Sequence, residues 1–126
     1  TWPTEVFDTD GMYTATSDTI TAQTAGIYQV NVTVEFAANA TGFRVLSLCK
    51  NTVLPTDGTK RISSNVAQAA QGGANTVLSC SCIISLVPTD TIKVHVYQTS
   101  GGALNVASTG SPLQTTFSMA MLGATS

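Results

Sequence analysis

The residues able to do chemistry are few in this chain and lie far apart. His95 is the single histidine. It alternates with Val94 and Val96, so on a strand it points to the side opposite those two. General-base work would need a nucleophile within reach and an acid to orient the ring. No motif supplies either, and a structural or surface histidine is the better reading. Asp8-Thr9-Asp10-Gly11 begins like a calcium loop, but the acidic residue that closes such a loop is missing. Asp-Gly also makes an ordinary hairpin turn, and a turn is expected here. Cys49, Cys80 and Cys82 have the spacing of neither a zinc site nor a disulfide framework. Cys80 and Cys82 fall on one strand face, and all three are expected as buried free thiols. That points weakly to assembly in a reducing compartment. Thr1 has the makings of an N-terminal nucleophile, yet no basic partner follows it, and a cut boundary is the expectation. Two sequons occur: Asn31 lies mid-strand and is a poor acceptor, while Asn39 lies in a turn and would serve only in a eukaryotic secretory setting. No cofactor or metal follows from these residues, and no catalytic constellation forms, so the chain is expected not to be an enzyme.

Composition narrows the classes further. The 126 residues suit a single domain spanning 1–126. They are 43% hydrophobic but only 10% charged, against about 25% charged in an average soluble domain. Thr, Ser, Ala and Asn stand where Lys and Glu usually sit, so the surface is either hydroxyl-covered or buried against other protein. Arg44, Lys50, Lys60, Arg61 and Lys93 are scattered and the net charge is -2, which excludes a phosphate-binding surface and hence nucleic acid. The apolar stretch Cys80 to Val87 is too short and too serine-rich to insert in a membrane. No basic segment followed by an apolar run suggests a signal peptide.

The elements that must position these residues are strands. Period-2 alternation predicts long strands at Ile27–Phe36, Phe43–Lys50, Thr76–Leu86, Thr91–Gln98 and Leu113–Leu122. Shorter ones are expected at Trp2–Phe7, Met12–Ala15, Thr19–Ala22, Arg61–Val66 and Leu104–Ala107. The best helical candidate, Val66–Ala70, is one turn long and runs into Gln71-Gly72-Gly73. About ten strands in one domain predict a two-layer sandwich. Each long strand has one apolar face; the opposite faces carry small hydroxyl-bearing residues, which pack closely and pair their own hydroxyls.

The N-terminal third also carries a spacing. Trp2 is followed after five residues by Asp8, after four by Tyr13 and after six by Ile20; five more lead to Gly26, then Tyr28, Val30 and Val32 at alternate positions. This resembles the aromatic signature of the C1q/TNF-like family, with Trp2 and Ile20 in place of phenylalanines and Val30 and Val32 in place of later aromatics. Leu48-Cys49-Lys50-Asn51 is similar to the family's strand ending in Lys-Asn-Gly, with Thr52 for the glycine. Leu86 to Val94 is similar to its Leu-x-x-Gly-Asp-x-Val-x-Val turn, with Thr89 in the glycine position. Thr116 to Leu122 is similar to its last Phe-Ser-Gly strand without the glycine. Together these cover essentially the whole chain.

The resemblance implies an all-β, two-sheet jelly-roll sandwich of about ten antiparallel strands and a three-fold homotrimer. It implies an axis lined by Gln29, Asn31, Thr33, Ser79, Ser81, Thr116, Ser118 and Ala120. The stretches Gln98 to Gly102 and Gln68 to Asn75, with Gln68, Gln71, Thr99, Ser100 and Gly101, are the expected binding loops. Low charge, absent disulfides and Thr/Ser/Ala-rich strands resemble the family's bacterial and bacteriophage branch. The expectation is therefore a virion-surface module, foremost a tail-fibre tip or receptor-binding head. Its partners would be its own copies, other virion or surface proteins, and a host glycan or protein receptor. The alternatives are a capsid decoration protein and a secreted or bacterial cell- or spore-surface binding domain.

Overall fold

Where apolar and small polar residues alternate, the chain is extended. The computed structural model describes residues 8–14, 17–52, 58–106 and 115–125. Within them lie seven strands: β1 (Thr19–Thr21), β2 (Gly26–Phe36), β3 (Phe43–Lys50), β4 (Arg61–Gln68), β5 (Thr76–Leu86), β6 (Thr91–Gln98) and β7 (Thr116–Ala124). One 3-10 turn, Gly58–Lys60, precedes β4. The strands form two antiparallel sheets, ordered β1-β6-β3-β4 and β5-β2-β7.

Strand β2 organises the core because its alternation is the cleanest. Tyr28, Val30, Val32, Val34 and Phe36 are all buried, while Gln29 and Asn31 between them are exposed. The buried set meets Leu46 and Leu48 of β3, Leu78 and Leu86 of β5 and Ile92 of β6. Burying each such side chain contributes about 1.5–3 kcal/mol. Tyr28 keeps its phenol satisfied by donating to the Thr24 carbonyl at 2.7 Å. Cys80 and Cys82 do share the inward face of β5, and all three thiols are free.

Several boundaries differ from expectation. Val66–Ala70 is not a helical turn: Val66 pairs with Val45 and Gln68 with Phe43, extending β4 to Gln68. Pairing with β3 satisfies backbone groups that a single isolated helical turn would leave open. Of the expected strands Met12–Ala15 and Leu104–Ala107, the described residues form one bridge each, Tyr13 with Ile20 and Val106 with Phe36. The last strand continues to Ala124, past the expected end at Leu122. Trp2–Phe7, together with Ala15, Ala107, Leu113 and Gln114, lies outside the described residues.

Candidate assembly face and loop surface

The outward face of β5-β2-β7 is built by register. Three rungs cross it: Ser79–Thr33–Thr116, Ser81–Asn31–Ser118 and Ile83–Gln29–Ala120. All eight residues expected to line an axis therefore stand on one face, turned away from the core, because each alternates with an inward neighbour. Thr33 and Ser79 spend their hydroxyls on each other at 2.9 Å. The amides of Gln29 and Asn31 and the hydroxyls of Ser81 and Ser118 have no side-chain hydrogen bond among the described residues. No charged residue occupies the rungs. The next outward residue of β2, Glu35, is only 3% exposed and accepts the Asn75 amide at 2.7 Å. Ile83, 67% exposed, is the one large apolar side chain in the rungs. It was legible as a break in the outward series Ser79, Ser81, Ile83, Ser85.

The expected binding loops gather at the end of the molecule where β2, β4 and β6 finish. Gln71 donates to the Ala40 carbonyl at 3.1 Å, joining the loop after β4 to the loop after β2. Thr99 Oγ1 accepts from the Phe43 amide at 3.0 Å, and Thr99 N donates to the Phe43 carbonyl. Gly42 sits between them with φ +72°, and a Cβ there would collide with the Thr99 carbonyl. Ser100 N is held by Gln98 Oε1 at 2.6 Å, while Gly101 and Gln68 are exposed. Gln71, Thr99 and Ser100 are thus partly engaged in holding the loops together.

Arg44 anchors this end and carried no signal in the sequence. It is fully buried, donating to the carbonyls of Thr41, Phe43 and Asn39 at 2.8–3.1 Å, with its guanidinium 6.0 Å from the Phe36 ring centroid. Asn39 is half-buried, its Oδ1 taken by Thr41 N at 2.9 Å, and Asn31 is a mid-strand residue.

At the opposite end, Asp90 closes the turn between β5 and β6. It meets Lys50 Nζ at 2.8 Å, Asn51 Nδ2 at 2.6 Å and Val87 N at 3.0 Å. The Asn51 amide and then the Lys50 ammonium hold its carboxyl down to about 2. Thr89 lies in this turn with φ +78°. With Pro88 before it and Asp90 N bonded to the Val87 carbonyl at 3.0 Å, it fills the glycine-preferring place of a type II turn. A second cluster pairs Lys93 with Asp18 at 2.7 Å.

The remaining chemistry-bearing residues are kept apart or muted. Asp8 accepts from Tyr13 N at 2.8 Å and Asp10 N at 3.2 Å. Against desolvation, these backbone donors lower its carboxyl below the ordinary value. Among the described residues no three His, Cys, Asp or Glu side chains converge to hold a metal ion. His95 stands opposite Ser47; burial, then Arg61 and Lys93, push its pKa down. Burial pushes all three thiols up, so they stay protonated at neutral pH and are poor nucleophiles. On the outer face of the four-stranded sheet, Phe43 and Tyr97 stand 6.2 Å apart, and Val45 pairs with Tyr97 and with Val66. Tyr97 and Val66 are 55% and 61% exposed, a patch that alternation alone does not reveal, because it takes the register of β4 and β6 on β3 to bring both beside Val45.

No protein-family model matches this chain, and no curated protein matches it. No helix among the described residues is long and apolar enough to cross a membrane.

Proposed function

We propose that this chain is a non-enzymatic, homotrimeric structural and binding module whose copies meet through the β5-β2-β7 face. One observation carries the reading: the three rungs of this face carry no charge, Gln29 and Asn31 on them have no side-chain hydrogen bond among the described residues, and Ile83 stands exposed beside them. Hydroxyls and amides each donate and accept, so such a face complements a copy of itself without needing opposite charge. Ser81, Ser118 and Ala120 are small enough to let two backbones approach closely.

The finer jelly-roll reading is supported by connectivity. Five of the six links between successive strands pass from one sheet to the other, as in the double Greek key of a jelly roll. The placement at a virion surface, foremost as a tail-fibre tip or receptor-binding head, rests on the family resemblance. On this reading the loops around Gln71 and Thr99 face outward from the assembly, toward a receptor. Ser81→Arg is the direct test, because it puts a cation in each copy at the middle rung. A fall in native mass to that of one chain supports the reading; an unchanged multimer refutes this face as the contact.

A further inference from the structure

Four of the five cations lie far apart in the sequence but meet at one end of the fold. Arg61, Cys49, Lys93 and Thr19 form one rung across β4, β3, β6 and β1. Lys50 ends β3 next to that rung, and Lys60 immediately precedes β4. Asp90 pairs with Lys50 and Asp18 with Lys93, whereas Lys60 is exposed and has no partner among the described residues. Positive charge outweighs these two carboxylates, and its field reaches His95, which burial and then Arg61 and Lys93 push down.

The surface between these cations is concave. A cleft of about 510 Å³ is lined by Thr19, Asn51, Thr52, Thr89, Thr91 and Lys93. A smaller one of about 190 Å³ shares Asn51 and reaches Lys50 and Lys60. The larger has the size of a small-molecule site, with polar walls. Asn51, at φ +52°, and Thr89, at φ +78°, are the only non-glycine residues with left-handed backbone among the described residues, and both line it. Strain of this kind gathers at ligand sites. Glycine would relieve it at Thr89, so the threonine is explained by its side chain, not by the turn. That side chain is exposed, and its hydroxyl has no hydrogen bond among the described residues. Hydroxyls and amides donate and accept, as sugar hydroxyls do, and the lysines add charge.

We infer that this cleft binds an acidic saccharide, its hydroxyls on Thr89, Thr91 and Asn51 and its carboxylates on Lys93 and Lys60. The cleft lies at the end opposite the loops around Gln71 and Thr99, so it is a separate site and does not depend on the assembly face. The test is titration of the isotope-labelled chain with tetragalacturonate, followed by amide chemical shifts. Saturable shifts should centre on Asn51, Thr89, Thr91 and Lys93. Affinity should fall at least roughly threefold between about 0.05 and 0.5 M sodium chloride. The fully methyl-esterified tetrasaccharide keeps the ring hydroxyls but not the charge, and should bind roughly tenfold more weakly. Lys93→Gln and Lys60→Gln should each weaken binding roughly fivefold to tenfold; Lys60 is exposed, so its variant serves if Lys93→Gln unfolds. Thr89→Gly should raise the melting temperature yet weaken binding roughly fivefold, a loss that unfolding cannot explain. Absent or unsaturable shifts, or shifts centred elsewhere, overturn the inference. So do equal affinity for the ester, indifference to salt, or folded variants that bind as the parent does.

Discussion

Asp90 shows how much one side chain can hold in place. Its carboxylate gathers the Asn51 amide, the Lys50 ammonium and the Val87 amide, and these lower its pKa to about 2. A carboxyl depressed in the fold adds stability that is fully present above its unfolded value, near 4, and is lost as pH falls through about 2. The pair is partly open to water, so the contribution is on the order of 1 kcal/mol after screening. Denaturant midpoints should therefore drop between pH 4 and pH 2, and Asp90→Asn should flatten that slope while lowering the midpoint at pH 7. An equally steep acid slope in the variant would show that other carboxyls carry it. The turn at Asp90 was legible in Leu86 to Val94. Arg44 was not legible, because a charged residue at a strand's start reads as solvent-facing. Its burial depends on three carbonyls from the preceding loop and strand start and on the Phe36 ring, contacts that only the folded chain brings together.

At the scale of elements, alternation carried most of the information. β3, β5 and β6 begin and end where the pattern places them, since each has one face against the core and the other outward. The pattern failed where pairing overrides composition. Ala67 and Gln68 look helix-compatible, yet β3 draws them into its ladder opposite Arg44 and Phe43. Short segments show less: Met12–Thr14 and Leu104–Val106, the described parts of two expected strands, carry one bridge each, too few pairs to specify a strand. The turn joining β5 to β6 has a testable weakness, because Thr89 is β-branched and held at φ +78°. Left-handed backbone costs such a residue about 1–2 kcal/mol, partly offset by glycine's greater freedom when unfolded. Thr89→Gly should raise stability by roughly 0.5–1 kcal/mol, read as a higher melting temperature; a lower one would mean the threonine side chain makes a compensating contact.

The whole molecule combines a core closed by β2, a loop end tied by Arg44 and Thr99, and an uncharged set of rungs on which Gln29 and Asn31 are exposed. The face was legible in part: alternation gave the outward residues, while only the register showed Asn31 flanked by Ser81 and Ser118. On the proposed assembly, that register is what would make a hydroxyl-rich face complementary to a copy of itself. The same assembly would account for the absence of charge from the three rungs, since charges facing an identical copy would repel. The most direct measurement is the native mass of the unaltered chain at micromolar concentration, by native mass spectrometry or light scattering. The account predicts a stable species of three 13.0 kDa chains; a stable monomer would contradict it.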